Sequence, residues 1–138
     1  MPRPLLLDTC AAIWLMNGDP MTAESRRAIK EAVTANAGIY VSPISAWEIG
    51  TLNAKNRLQL SMTPKAWFDE LLSLPSVRLA QTSPHVMIDA AFLPGKPPKD
   101  PADRILAATS RAYNYTLVTR DGELLPYSRA GHLRAVNC

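Results

Sequence analysis

The sequence predicts an α/β protein built on a parallel sheet covered by helices on both faces. Three observations predict it. Short apolar runs alternate with stretches of helical spacing from one end of the chain to the other. The runs are continuous, "LLL" at 5–7 and "LV" at 117–118, as strands buried on both faces require; a half-exposed antiparallel sheet would alternate apolar with polar. Several helices also open on a capping residue followed by proline: Thr63-Pro64, Ser83-Pro84 and Asp100-Pro101.

In order along the chain, "PLLLD" (4–8) is the first strand and 11–16 a short helix. "MTAESRRAIKEAVTAN" (21–36) is a longer helix, because Ala28, Ile29, Ala32 and Val33 keep helical spacing and Asn36 with Gly38 stops it. "IYVS" (39–42) is the second strand. "SAWEIGTLNAKN" (45–56) is a helix opened by Ser45. "TPKAWFDELLSL" (63–74) is capped by Thr63 and ended by Pro75. "VRLA" (77–80) is the third strand; no acid follows it closely, which places it at a sheet edge. "SPHVMIDAAFL" (83–93) is a helix, "PGKPPK" (94–99) a mobile loop, and "DPADRILAATSRAYN" (100–114) a helix with Asp100 at the cap and Asp103 three residues on. "TLVT" (116–119) is the fourth strand and "LRAV" (133–136) the fifth.

A chain of 138 residues forms one domain, 1–138, large enough to bury roughly two thirds of its unfolded surface. Cys10 and Cys138 have neither metal-type spacing nor a disulfide pattern, and read as free thiols of a reducing compartment. No apolar run approaches the ~18 residues of a membrane span, and the start is too briefly apolar for a signal peptide. A soluble, cytoplasmic protein with no membrane partner is expected. The net charge is +3, and ten of the fifteen basic residues are arginine, a lean toward an anionic partner.

Four of the twelve acidic residues fall where such a sheet binds ligands, beyond the carboxyl ends of its strands. Asp8 ends the first strand. Glu48 lies in the first turn of the helix after the second. Asp103 opens the helix before the fourth strand, and Asp121 follows that strand by two residues. Each has an ordinary reading. Ser45 and Glu48 have the spacing of a capping box, "DPAD" has that of helix caps, and Asp121-Gly122 suits a turn. Asp8 resists one, because a carboxylate beside a buried run is costly unless paired. Four carboxylates at one rim repel, and a hard divalent cation, Mg²⁺ or Mn²⁺, is what relieves them. His85 and His132 stand alone and offer no competing ligand set.

"LLLDTCAAIW", "VSPISAWEIG…NRLQL", "DPADRILAATS" and "LVTRDGELLPY" resemble, in order, the motifs of the PIN-domain ribonucleases, above all the VapC-type toxins of bacterial toxin–antitoxin pairs. The resemblance spans nearly the whole chain. It implies a three-layer sandwich with strand order 3-2-1-4-5, a magnesium-dependent endoribonuclease leaving 5′-phosphate and 3′-hydroxyl ends, a homodimer, and a cognate antitoxin in a larger complex. Its acidic set falls on Asp8, Glu48, Asp103 and Asp121, with Thr9 and Thr119 as accompanying hydroxyls. Relatives often carry Lys where Leu52 stands and Gly where Asn56 stands; Asn tolerates the same left-handed turn.

On this reading Asp8 and Asp103 are the direct metal ligands, with Glu48 and Asp121 beside them and Thr9, Thr119 and Ser45 behind. Metal-assisted hydrolysis of an RNA phosphodiester is the expected chemistry. Arg104, Arg111, Arg120, Lys96 and Lys99 are candidates for a basic rim that grips phosphates. Trp14, Trp47 and Trp67 sit among apolar residues at helical spacing and read as core or dimer packing. The alternative is a PIN-fold module that binds RNA or regulates without turnover. A phospho-acceptor signalling domain would want paired acids after the first strand and a lysine near the last, and the chain has no lysine after Lys99.

Overall fold

The computed structural model describes residues 2–138. Its elements are β1 (Leu5–Leu7), α1 (Thr9–Asn17), α2 (Ala23–Thr34), β2 (Ile39–Val41), α3 (Pro43–Ala54), α4 (Pro64–Ser73), β3 (Val77–Leu79), α5 (Pro84–Asp89), α6 (Pro101–Tyr113), β4 (Thr116–Thr119), α7 (Leu124–Arg129) and β5 (Arg134–Asn137). The five strands form one parallel sheet in the order β3-β2-β1-β4-β5. Among the described residues no helix is long and apolar enough to cross a membrane.

The chain builds outward from β1 to β2 and β3, then returns across the sheet to place β4 on the other side of β1. Right-handed crossovers therefore divide the helices between the faces. Leu5, Leu7, Val41 and Val118 point to one face and pack with Ala11 and Ala12 of α1, Ala32 of α2, and Trp67 and Leu71 of α4. Leu6 and Leu117, one residue out of step, point to the other and pack with Leu106 and Ala107 of α6 and Leu124 and Tyr127 of α7. Leu6, Leu7, Leu71, Leu106, Leu117 and Leu124 are fully buried, each contributing roughly 1.5–3 kcal/mol of transfer free energy. The reversal between β1 and β4 opens a crevice beyond their carboxyl ends.

Four details differ from the sequence expectation. The third helix begins at Pro43, not Ser45: Ser42 caps it, its Oγ accepting from the Ile44 amide at 3.1 Å. This is the same cap-then-proline opening used three more times along the chain, at Thr63, Ser83 and Asp100, and it leaves Ser45 buried inside the first turn. The helix expected over 83–93 closes at Asp89. The segment 94–99, expected to be mobile, is tied down. Tyr127 donates its hydroxyl proton to Pro94 O (2.6 Å), Arg104 donates to Pro98 O (3.1 Å), and the Lys99 amide donates to Glu123 Oε2 (2.8 Å). Finally, α7 was not expected; Pro126 argues against a helix but is tolerated near its start. Asn56 does adopt the left-handed conformation, at φ 58.

Candidate active site

Asp8 leaves β1 in extended backbone and caps α1. Its Oδ1 accepts from the Ala11 amide at 2.8 Å and its Oδ2 from the Thr119 hydroxyl at 2.6 Å. Burial raises its carboxyl above the usual 3.8, and the two hydrogen bonds pull the other way. Thr119 is the last residue of β4 and fully buried. Its hydroxyl oxygen also accepts from the Asp121 amide at 3.0 Å, so one side chain fixes both acids. Asp121 turns Oδ2 to the amides of Glu123 (2.8 Å) and Leu124 (3.0 Å), opening α7. The turn reading of Asp121 is thus correct, and half of its carboxylate is still uncommitted.

Thr9, one residue after Asp8, holds Glu48. Its hydroxyl donates to Glu48 Oε1 at 2.5 Å and bonds the buried Ser45 Oγ at 3.0 Å. The capping box expected of Ser45 and Glu48 does not form, because Ser42 has taken the cap; both residues face Thr9 instead. Burial raises the Glu48 carboxyl, Thr9 lowers it, and Asp100 and Asp8 raise it again. Asp100 caps α6, Oδ1 accepting from the Asp103 amide at 3.1 Å. Asp103, half-buried, is pushed up to about 7, first by burial and then by Asp121, Asp100, Glu48 and Asp8.

The four expected acids and Asp100 line one crevice of about 430 Å³. Asp100, which reads from the sequence as a cap, and Cys10, to which the sequence assigns no role in the site, both border the crevice. The signal for Cys10 was its place two residues after Asp8, on the first turn of α1. Among the described residues, no three Asp, Glu, His or Cys side chains are gathered tightly enough to hold an ion as they stand. The donor set is nonetheless all hard oxygen apart from Cys10, which suits Mg²⁺ or Mn²⁺.

The expected basic rim is dispersed. Arg120 alone of the five cations borders the crevice. Its guanidinium lies on the Trp14 ring, 3.8 Å from the centroid, and donates to Cys138 O at 2.6 Å. Arg104 faces away, donating to the carbonyls of Ala90 (2.8 Å), Pro98 (3.1 Å) and Ala91 (3.3 Å). Lys96 and Lys99 are exposed on the 94–99 segment, and Arg111 donates to His132 O at 2.5 Å, at the opposite end of the sheet. Trp67 is core, as expected, whereas Trp47 is 64% exposed.

A parallel sheet in this order, with carboxylates at the β1/β4 reversal, defines the class. Residues 5–130 match the family model for the PIN domain, and the chain belongs to that family. Within it the chain is of VapC type: it is similar to Ribonuclease VapC22 of Mycobacterium tuberculosis (strain ATCC 25618 / H37Rv), 32% identical over 123 residues, which is 87% of this chain and 88% of that protein. Two solved structures share the fold. VapBC2 from Rickettsia felis, bound to a DNA fragment from its promoter, superposes with a TM-score of 0.66 at 18% identity, over 97% of this chain and 98% of that one. FitAB bound to an IR36 DNA fragment gives 0.57 at 18%, over 96% and 94%.

Proposed function

We propose that this chain is a divalent-cation-dependent endoribonuclease that hydrolyses RNA phosphodiester bonds as the toxin of a toxin–antitoxin pair. The observation that carries the reading is five carboxylates lining one crevice at the switch point of the sheet, with Asp103 pushed up to about 7. A similar protein bears the name ribonuclease. Asp8 and Asp103 would hold the cation, with Glu48 and Asp121 completing its surroundings. When bound, Mg²⁺ or Mn²⁺ supplies Lewis-acid polarisation of a phosphoryl oxygen and a water acidic enough to react near neutral pH.

The chain's own residues do the rest. Thr119 orients Asp8 and Thr9 orients Glu48, so both carboxylates wait in fixed directions without being neutralised. Arg120, held flat on Trp14, offers a positive charge at the crevice for a phosphate. An antitoxin partner has a seat in the apolar pocket of about 700 Å³ between α3 and α4, lined by Ala46, Gly50, Pro64 and Phe68, beside the exposed Trp47. The solvent-exposed Met87, Ile88 and Phe92, on and just after α5, suit contact with a second copy.

The test is cleavage of a structured RNA by purified protein with Mg²⁺, with Mn²⁺ and with chelator. Cleavage is expected with either cation, none with chelator, and 5′-phosphate ends on the products. Calorimetric titration with Mn²⁺ should show binding that Asp8→Asn and Asp103→Asn weaken. A folded protein that binds RNA yet leaves it whole in saturating Mg²⁺ and Mn²⁺ would instead support the silent PIN-fold module.

A further inference from the structure

The sheet has a second polar pocket at its other end, where β4 and β5 begin. It encloses about 380 Å³ between the end of α6 and the segment leading into β5, and contains no acidic residue. Its chemistry comes from Ser110, Arg111, Asn114 and Arg134. Each guanidinium is held by a neutral oxygen. Arg111 donates to His132 O at 2.5 Å and Arg134 to Asn114 Oδ1 at 2.8 Å. Neither positive charge is cancelled by these contacts, and each fork retains further N–H groups.

Arginines near a helix C-terminus ordinarily serve its open carbonyls. That account falls short here. The Ser110 carbonyl already accepts from the amides of Asn114 and Tyr115, and neither recorded arginine bond goes to a carbonyl of α6. The pocket is also rigid. His132 is stacked on Tyr127 with ring centroids 4.6 Å apart, and a Cβ on Gly95 would collide with its Nε2. Asn114 sits in the left-handed region at φ 61 and turns its oxygen to Arg134, so its amide protons point elsewhere. Ser110 is 2% exposed, and its hydroxyl has no hydrogen-bond partner. A buried hydroxyl without a partner is costly, and an acceptor brought by a ligand would remove the cost.

We propose that this pocket binds a phosphate group carried by a nucleotide. The forks of Arg111 and Arg134 grip its oxygens, with the Ser110 hydroxyl and the Asn114 amide as further donors. Two planar forks and two neutral donors, with no acid among them, match a phosphate better than a carboxylate, whose two oxygens a single fork already serves. The phosphate has two sources, a free mononucleotide or the RNA chain. The pocket lies at the opposite strand ends from the carboxylate crevice, so the proposal stands or falls independently of the nuclease reading.

The experiment is calorimetric titration of the full chain in chelator, which removes any metal-dependent cleavage. The probes are inorganic phosphate, adenosine 5′-monophosphate and a single-stranded oligoribonucleotide. The variants are the double Arg111→Gln/Arg134→Gln and the single Ser110→Ala. Wild type is expected to bind, with affinity reduced at least tenfold in the double variant and several-fold in Ser110→Ala. Ser110→Ala should melt at or above the wild-type temperature, because it deletes an unpartnered buried hydroxyl. Should the double variant fail to fold, the single variant carries the test. Binding of the mononucleotide identifies the free ligand; binding of the oligoribonucleotide alone, with the same sensitivity, identifies the RNA chain. No binding of any probe at millimolar concentration, or binding unchanged in Ser110→Ala and in any folded double variant, overturns the proposal.

Discussion

At the carboxyl ends of the strands, Asp8 and Glu48 take their hydrogen bonds from threonine hydroxyls and a backbone amide. At the amino ends, Arg111 and Arg134 give theirs to a backbone carbonyl and an asparagine oxygen. The two regions carry opposite charge and use the same device. A neutral partner satisfies the geometry of a charged side chain without cancelling its charge. Arg104 shows the contrast, because it donates to three carbonyls and ties the 94–99 segment to α5 and α6. Three of its five N–H donors are committed to the fold, against one each for Arg111 and Arg134. At the crevice the consequence is visible in Asp103, which burial and four neighbouring carboxylates push up to about 7. The charge left over at each end is what a ligand of opposite sign would find.

The comparison breaks most sharply at Asp8. Asp8→Asn keeps the shape and the cap on α1, since Asn caps as well as Asp, and removes the charge together with the acceptor for the Thr119 hydroxyl, which must turn to accept from the new amide. Divalent binding should fall away, and RNA cleavage should drop at least about a hundredfold, the scale of the several kcal/mol that a catalytic cation supplies. Timed cleavage assays together with Mn²⁺ titration check this. Unchanged turnover would mean that the leftover charge at this end is not what the site uses.

The neutral partner comes next. Thr119→Val deletes the bond to Asp8 Oδ2 and orphans the Asp121 amide. Loss of a ligand-orienting partner typically costs about 10–100-fold in metal affinity or activity. Stability should also fall by about 1–3 kcal/mol, through the buried groups left unpaired. Thr119→Ser keeps the hydroxyl and should restore most of the activity; a serine variant as impaired as the valine one would show that packing, not orientation, is what Thr119 provides.

Much of this was legible in the sequence. Continuous apolar runs marked the central strands β1 and β4, and the spacing of Asp8, Glu48, Asp103 and Asp121 placed them at one rim, because the carboxyl ends of parallel strands share an edge. Asp100 was recognisable as a cap from its proline. What could not be read was which partner each polar side chain chooses. Ser45 and Glu48 have capping-box spacing, but Ser42-Pro43 offers a competing start and wins, so Ser45 turns to Thr9. Arg104 follows Asp103 and looked like a phosphate contact, yet one residue is about 100° of helix, and it faces α5. The 94–99 segment, rich in proline and glycine, looked mobile because its anchors, Tyr127 and Glu123, lie far along the chain. The pocket of Arg111 and Arg134 joins residues more than twenty positions apart and left no local signal.

The cap on α6 sharpens the comparison at smaller scale. Asp100→Ala removes the acceptor for the Asp103 amide and should cost about 0.5–2 kcal/mol, whereas Asp100→Asn should be close to neutral. Denaturant melts of the two variants in chelator make the measurement. Equal losses in both would show that the charge of Asp100, not its hydrogen bond, is what the helix start depends on.

The smallest expected effect is the most specific to the crowded end. The folded-state value of Asp103, about 7, lies above its unfolded value near 3.8. Between these values the folded chain holds a proton that the unfolded chain has lost. The stability this lends is complete below about pH 4 and disappears as pH rises through about 7. An amide does not titrate, so Asp103→Asn should lack this dependence. In chelator the two proteins should melt alike near about pH 4, and the variant should melt higher at about pH 8. Because Asp103 is only half-buried, solvent screening keeps the difference to about 1 kcal/mol or less, a shift of a few degrees. Excess Mn²⁺ should then reverse the order at the higher pH, since the cation relieves the repulsion that the wild type carries and binds the variant less tightly. Melting curves that run parallel across the whole pH range in chelator would remove the electrostatic strain at this end, and with it the contrast between the two ends of the sheet.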